Sequence, residues 1–244
     1  MKRHIPNLIT GMNVISGTMA VFMAIYGRIE LAAGFIILGM VFDFFDGLSA
    51  RLLHVKSDMG KELDSLADIV SFGVAPALLA HFLMRVTFLP EDSMDIGDLL
   101  LWQQILIFIP VLIPFFSAFR LAKFNLDVRQ SVSFIGMPVP AHALFWVSLV
   151  FAYYYLPETY GSLFGNIWVL AACVVVLSLL LTSELPMFSL KASGFGWAKN
   201  KVRYIYFLGL VLIAVFTGLS VVVFIIPFYI FLCAVMALRK VKKL

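Results

Sequence analysis

Residues 99–119 read LLLWQQILIFIPVLIPFFSAF, twenty-one positions without one acidic or basic side chain. A helix needs about 20 mostly apolar residues to cross a bilayer. Ile167–Leu181 and Tyr204–Val223 are two further runs free of charge. The apolar residues are continuous rather than alternating, which favours helices over the strands of a barrel. The whole chain agrees: 62% of its 244 residues are hydrophobic and 13% are charged. A soluble domain is about half apolar and about a quarter charged.

Working outward from the 99–119 run, the sequence predicts an all-α, polytopic transmembrane bundle of about eight spans. They fall near 8–26, 31–53, 62–89, 99–124, 138–156, 164–185, 203–219 and 221–238. The join at Gly218–Ser220 is short, so the last two spans are either a tight hairpin or one broken segment. Almost no length is left for a soluble domain, so residues 1–244 read as one membrane domain. The basic start, MKRHIPNLIT, resembles a signal peptide only superficially and is expected to be retained. Cys173 and Cys233 lie inside apolar runs and read as small buried hydrophobes.

Charge gives the orientation. On the eight-span layout, sixteen of the eighteen Lys and Arg fall on one side, in groups beginning at Lys2, Arg51, Arg120, Lys191 and Arg239. Arg28 and Arg85 alone lie toward the other side, together with the acidic loop of Glu91, Asp92, Asp95 and Asp98. The positive-inside rule then puts both termini in the cytoplasm. The net charge of +4 is accounted for by that rule and calls for no nucleic-acid partner.

Against this apolar background, four aspartates need a reason. Asp43 and Asp46 are three apart at the end of the second span, and Asp64 and Asp68 are four apart at the start of the third. Each pair shares a helix face. One Asp at a span centre costs about 2.5–3.5 kcal/mol on insertion scales, and intramembrane carboxylates normally face the bundle interior and mark function. Two helices joined by a short turn can bring the pairs together, where they repel unless cations neutralise them. Carboxylate oxygens suit Mg²⁺ or Mn²⁺, and a pair of such ions clamps phosphoryl groups in transfer reactions. Gly47, Ala50 and Gly60 leave room for a ligand near the backbone, and Arg51 offers a planar fork for phosphate. A helix-end charge network with Arg51 and Lys61 is the plainer alternative.

Written out, residues 43–68 are DFFDGLSARLLHVKSDMGKELDSLAD. This resembles the signature of the CDP-alcohol phosphotransferase family, D-x2-D-G-x2-A-R followed by G-x3-D-x3-D. Asp43, Asp46, Gly47, Ala50, Arg51, Gly60, Asp64 and Asp68 stand at its fixed positions. The resemblance implies an enzyme in which an alcohol hydroxyl attacks a CDP-linked lipid and CMP leaves. It implies two divalent ions, Mg or Mn, held by the four aspartates, with Asp68 also the catalytic base. It places Gly47, Ala50, Arg51, Ser57 and Gly60 against the cytidine diphosphate of CDP-diacylglycerol, joined by Asn7 and Thr10 from the first helix. It also implies a homodimer among membrane lipids, with the active site at the cytoplasmic face of the cell membrane.

Four other segments bear on the acceptor. IPNLIT, FRLAKFNLDVRQ, SFIGMPVPAHALFW and ELPMFSLK resemble the membrane-embedded, serine-accepting bacterial branch of that family. L-serine carries a carboxylate, for which Arg120 is the first candidate; Asn125, Lys123 and Arg129 are the others. His142, flanked by apolar residues, reads more readily as a packed histidine. Glycerol 3-phosphate or inositol phosphate stays open as acceptor, and a cation transporter is the rival of another class.

Overall fold

A computed structural model describes residues 4–55, 57–93, 95–127, 134–188 and 197–241. Helix α1 (His4–Ile25) and α2 (Ile29–Leu52) form an antiparallel pair around Gly27, whose φ of +70° suits the reversal. The third span is one long rod of three parts: α3 (Asp58–Asp68), a π-helical turn (Ile69–Val74) and α4 (Ala75–Arg85). It starts four residues earlier than its apolar pattern suggests. Ser57 caps it by accepting from the Gly60 amide at 3.3 Å, so a largely polar first turn, with Met59 its one large apolar residue, is helical.

The fourth rod joins α5 (Leu101–Phe108) to α6 (Leu112–Leu126) through a 3₁₀ turn at Ile109–Val111, where Pro110 removes a backbone donor. Helix α7 (Val139–Tyr155) is apolar but 17 residues long. Helices α8 (Pro157–Phe164) and α9 (Ile167–Thr182) meet at 76°, so the predicted 164–185 span gains a bent preceding helix. Helices α10 (Trp197–Thr217) and α11 (Val221–Val241) are the last of the described elements.

Among the described residues, five helical stretches are long and apolar enough to cross a membrane, or six if the bent α8–α9 pair counts as one. The protein is an integral membrane protein. One of the five, Asn200–Leu238, is not straight. Tyr206 donates to the Ile225 carbonyl at 3.1 Å across 19 residues, which a straight helix would hold about 28 Å apart. A Cβ on Gly209 would sit 2.4 Å from Cζ of Phe228. The chain therefore reverses at Gly218, where φ is +59°, and α10 lies against α11 as a hairpin.

The core runs along α4 and α7, where Leu79, Leu83, Met84, Trp146 and Leu149 are fully buried. Strands β1 (Phe134–Ile135) and β2 (Pro186–Met187) form a two-residue antiparallel ladder between the ends of α6 and α9. At the other end of the bundle, Arg85 donates to the carbonyls of Glu91 at 2.9 Å and Pro90 at 3.4 Å. That bracing of the 86–100 loop explains one of the two basic residues on the sparsely charged side. Lys2, Arg3, Lys56, Arg129, Lys191, Lys242 and Lys243, all counted toward the orientation, lie outside the described residues.

Candidate active site

The end of α2 and the start of α3 converge because the turn between them is short and His54 takes a φ of +53° within it. One oxygen each of Asp43, Asp64 and Asp68 lies within 4.8 Å of the others. Asp68 is buried and is the last residue of α3 before the π turn. Three carboxylates at this spacing are a hard-oxygen donor set that fits a divalent cation of the Mg²⁺ or Mn²⁺ type. No His or Cys belongs to the group.

The four expected aspartates resolve into three and one. Asp46 does not share that cluster but is buried one helical turn along α2, facing Thr10 and the Gly47 backbone. Its Oδ2 has no hydrogen-bond partner among the described residues.

Asp46 and Asp64 line a cleft of about 380 Å³ between α1, α2 and α3. Asn7 and Thr10 reach it from α1, Gly47 and Ala50 from α2, and Ser57 and Gly60 from the turn and first turn of α3. Gly60 has a packing reason to be glycine: an added Cβ would meet Oδ1 of Asn7 at 3.1 Å. Gly47 leaves open space, with nothing within 4 Å of an added Cβ. Arg51 departs from expectation. Its Nε donates to the Gly47 carbonyl at 2.9 Å, so the side chain lies exposed along its own helix and is not in the cleft wall.

The acceptor candidates separate. Arg120 is buried, its Nε donates to the Met137 carbonyl at 3.3 Å, and its guanidinium lies 4.6 Å from the Phe124 ring centre. It is within electrostatic reach of Asp68. Asn125 donates to Ser65 Oγ at 2.9 Å and accepts Lys61 Nζ on its carbonyl at 2.7 Å, which ties α6 to α3. Lys123 is ion-paired with Glu184. Arg129 is outside the described residues.

Sequence reasoning passed over three groups. Lys61 and Asp58 line the cleft; their place directly after Gly60 and Ser57 was a usable signal. Asn13 is fully buried on α1 and its Nδ2 lies 3.5 Å from Oδ1 of Asp68. A second amide in this apolar helix, three residues beyond Thr10, is a faint sign of that contact. Residues 134–137 and 180–187 also prove to be one structure: Gly136 N donates to Leu185 O, and Met137 N to Leu180 O, both at 2.9 Å. Their ladder presents the carbonyl that Arg120 uses.

Residues 3–182 match the family model described as CDP-alcohol phosphatidyltransferase. The chain belongs to the CDP-alcohol phosphatidyltransferase family. The match covers the α1–α3 cleft, the aspartates and Arg120, and ends at the last residue of α9. Among curated members of the family, the chain is 41% identical over 150 residues to the CDP-diacylglycerol–serine O-phosphatidyltransferase of Bacillus subtilis, covering 62% of this chain and 77% of that one. It is 32% identical over 219 residues to the enzyme of the same name from Helicobacter pylori, covering 88% and 84%. It is 29% identical over 177 residues to the archaetidylserine synthase of Methanothermobacter thermautotrophicus, covering 71% and 67%.

Proposed function

We propose that this chain transfers the phosphatidyl group of CDP-diacylglycerol to the hydroxyl of L-serine, forming phosphatidylserine and CMP. The observation that carries the proposal is the meeting of Asp43, Asp64 and Asp68 beside a cleft walled by small and polar residues. Relatives named as serine O-phosphatidyltransferases over most of this chain's length support serine as acceptor.

In this reading Asp43, Asp46, Asp64 and Asp68 hold two divalent ions, Mg or Mn. Bound there, the ions would neutralise charge on the diphosphate. Asn7, Thr10, Gly47, Ala50, Ser57 and Gly60 receive the cytidine diphosphate, and Lys61 adds a cation to that wall. Arg51 reaches the phosphates only by leaving the Gly47 carbonyl. Arg120 is the residue for the serine carboxylate, because it is buried within electrostatic reach of Asp68.

Asp68 takes the proton of the serine hydroxyl as its oxygen attacks the phosphatidyl phosphorus. The bond from that phosphorus to the CMP oxygen breaks, and CMP departs with the electron pair. A buried base held beside the acceptor raises the hydroxyl's nucleophilicity.

The layout proposed with this function has eight crossings, both termini in the cytoplasm and the cleft at the cytoplasmic face of the cell membrane. The α10–α11 hairpin supports an even count. The family resemblance adds a homodimer, which light scattering of the purified protein tests.

Purified protein in detergent, given CDP-diacylglycerol, Mg²⁺ or Mn²⁺ and one alcohol at a time, should release CMP with serine alone. Release with glycerol 3-phosphate and none with serine would sink the assignment. Chelation should abolish turnover and added Mn²⁺ restore it.

A further inference from the structure

Asp68 sits where α3 passes into the π turn, and what fixes its carboxylate is not on its own helix. Asn13 of α1 faces it, with Nδ2 3.5 Å from Oδ1. An ionised carboxylate only accepts, so the amide must turn its nitrogen toward Asp68. The backbone of Asn13, though not its side-chain amide, is tied to the π turn: Ser71 donates to the Asn13 main-chain carbonyl at 2.9 Å. Gly17 permits that contact, since an added Cβ would lie 2.2 Å from Ser71 Oγ and 2.6 Å from its Cα. On the α2 side, Gly39 leaves room for the amide: a Cβ there would lie 3.0 Å from Asn13 Oδ1. That oxygen is buried without a hydrogen-bond partner among the described residues. The side chain therefore keeps a buried acceptor unsatisfied while its donor faces Asp68. A group placed for packing alone would not need to be an amide, because leaving a buried polar atom unpaired costs about 1–3 kcal/mol.

We propose that Asn13 is a positioning residue for Asp68: its amide fixes the orientation in which that carboxylate joins Asp43 and Asp64 around a divalent ion. Hydrogen bonds to ligating carboxylates orient them toward a metal, and their loss characteristically weakens binding or activity. The inference deepens the phosphatidyl-transfer reading and rests on it for the reaction, but its metal-binding arm does not need the acceptor.

The test replaces Asn13 with Leu, similar in size and without a donor, and with Ala as a smaller second variant should Asn13→Leu not yield folded protein. Ser71→Ala serves as control, removing the backbone contact while leaving the amide. Mn²⁺ affinity is read by electron paramagnetic resonance on substrate-free protein, and CMP release is read with CDP-diacylglycerol and serine. The Asn13 variants should lose about 10–100-fold in Mn²⁺ affinity and kcat. Their KM for CDP-diacylglycerol should stay within about twofold, because the cleft wall is untouched. Ser71→Ala should lower the thermal midpoint and leave Mn²⁺ affinity alone. Wild-type Mn²⁺ affinity in a folded Asn13 variant overturns the proposal, and so does a Ser71→Ala protein with the same loss of affinity. If the unaltered protein binds Mn²⁺ and releases no CMP with serine, the phosphatidyl-transfer reading fails while the affinity comparison still decides the role of Asn13.

Discussion

Asp68 is where the residue scale is most demanding, because one buried carboxylate has both a cluster and an amide partner. Asp68→Asn keeps the shape and removes the base. CMP release should fall by at least about 100-fold, the lower end of what a positioned acid or base contributes. Circular dichroism and thermal midpoint should match the unaltered protein, and near-normal turnover would remove Asp68 from the role of base. Gly17 matters for a different reason. Its missing Cβ lets α1 reach the π turn, and a methyl would collide with Ser71 backbone at 2.6 Å. Gly17→Ala should destabilise the protein by about 1–3 kcal/mol, as overpacking does, read as a lowered midpoint in detergent. An unchanged midpoint would show that the two segments separate at little cost.

Among elements, the β1–β2 ladder does more than its two-residue strands suggest. It joins the start of α7 to the end of α9 and presents the Met137 carbonyl to Arg120. Gly136 makes the turn possible, with φ at +78° and the Leu181 carbonyl 2.5 Å from where a Cβ would be. Gly136→Ala should displace Arg120 and raise KM for serine more than KM for CDP-diacylglycerol. Equal changes in both constants would argue that the ladder is remote from the acceptor. The α3–α6 brace is a second such device. Asn125→Ala removes the donor to Ser65 and should cost about 1 kcal/mol, the usual worth of one hydrogen bond, measured as a small drop in midpoint. The exposed Lys123–Glu184 pair warrants no comparable effect, since surface ion pairs contribute little.

Over the whole molecule, Asp68 lies ten residues inside the start of the third rod and Arg85 at its far end. Asp68 and Arg85 are 17 residues apart, about 25 Å of helix, close to a hydrocarbon core of about 30 Å. In a variant without Cys173 and Cys233, Asp92→Cys should react in intact cells with a membrane-impermeant thiol reagent, and Met59→Cys should react only after lysis. Labelling of Met59→Cys from outside would invert the orientation.

The sequence by itself determined the membrane class, because long uncharged runs have no other stable setting than lipid. It also determined the chemistry of the site. Four carboxylates near the ends of two membrane spans are too costly to be incidental, and their spacing of three and four residues places them on helix faces whatever the packing. Other features depended on contacts between residues far apart in sequence. Only the tertiary structure separated Asp46 from the other three aspartates, turned Arg51 back along its helix, and tied up Lys123 and Asn125 while leaving Arg120 buried near Asp68. It also bent the α8–α9 pair and closed the α10–α11 hairpin, since a turn in lipid depends on which faces pack across it. Helix periodicity says which residues share a face. It carries no information on which neighbouring helix that face will meet, and that pairing decides the partner of each side chain at this site.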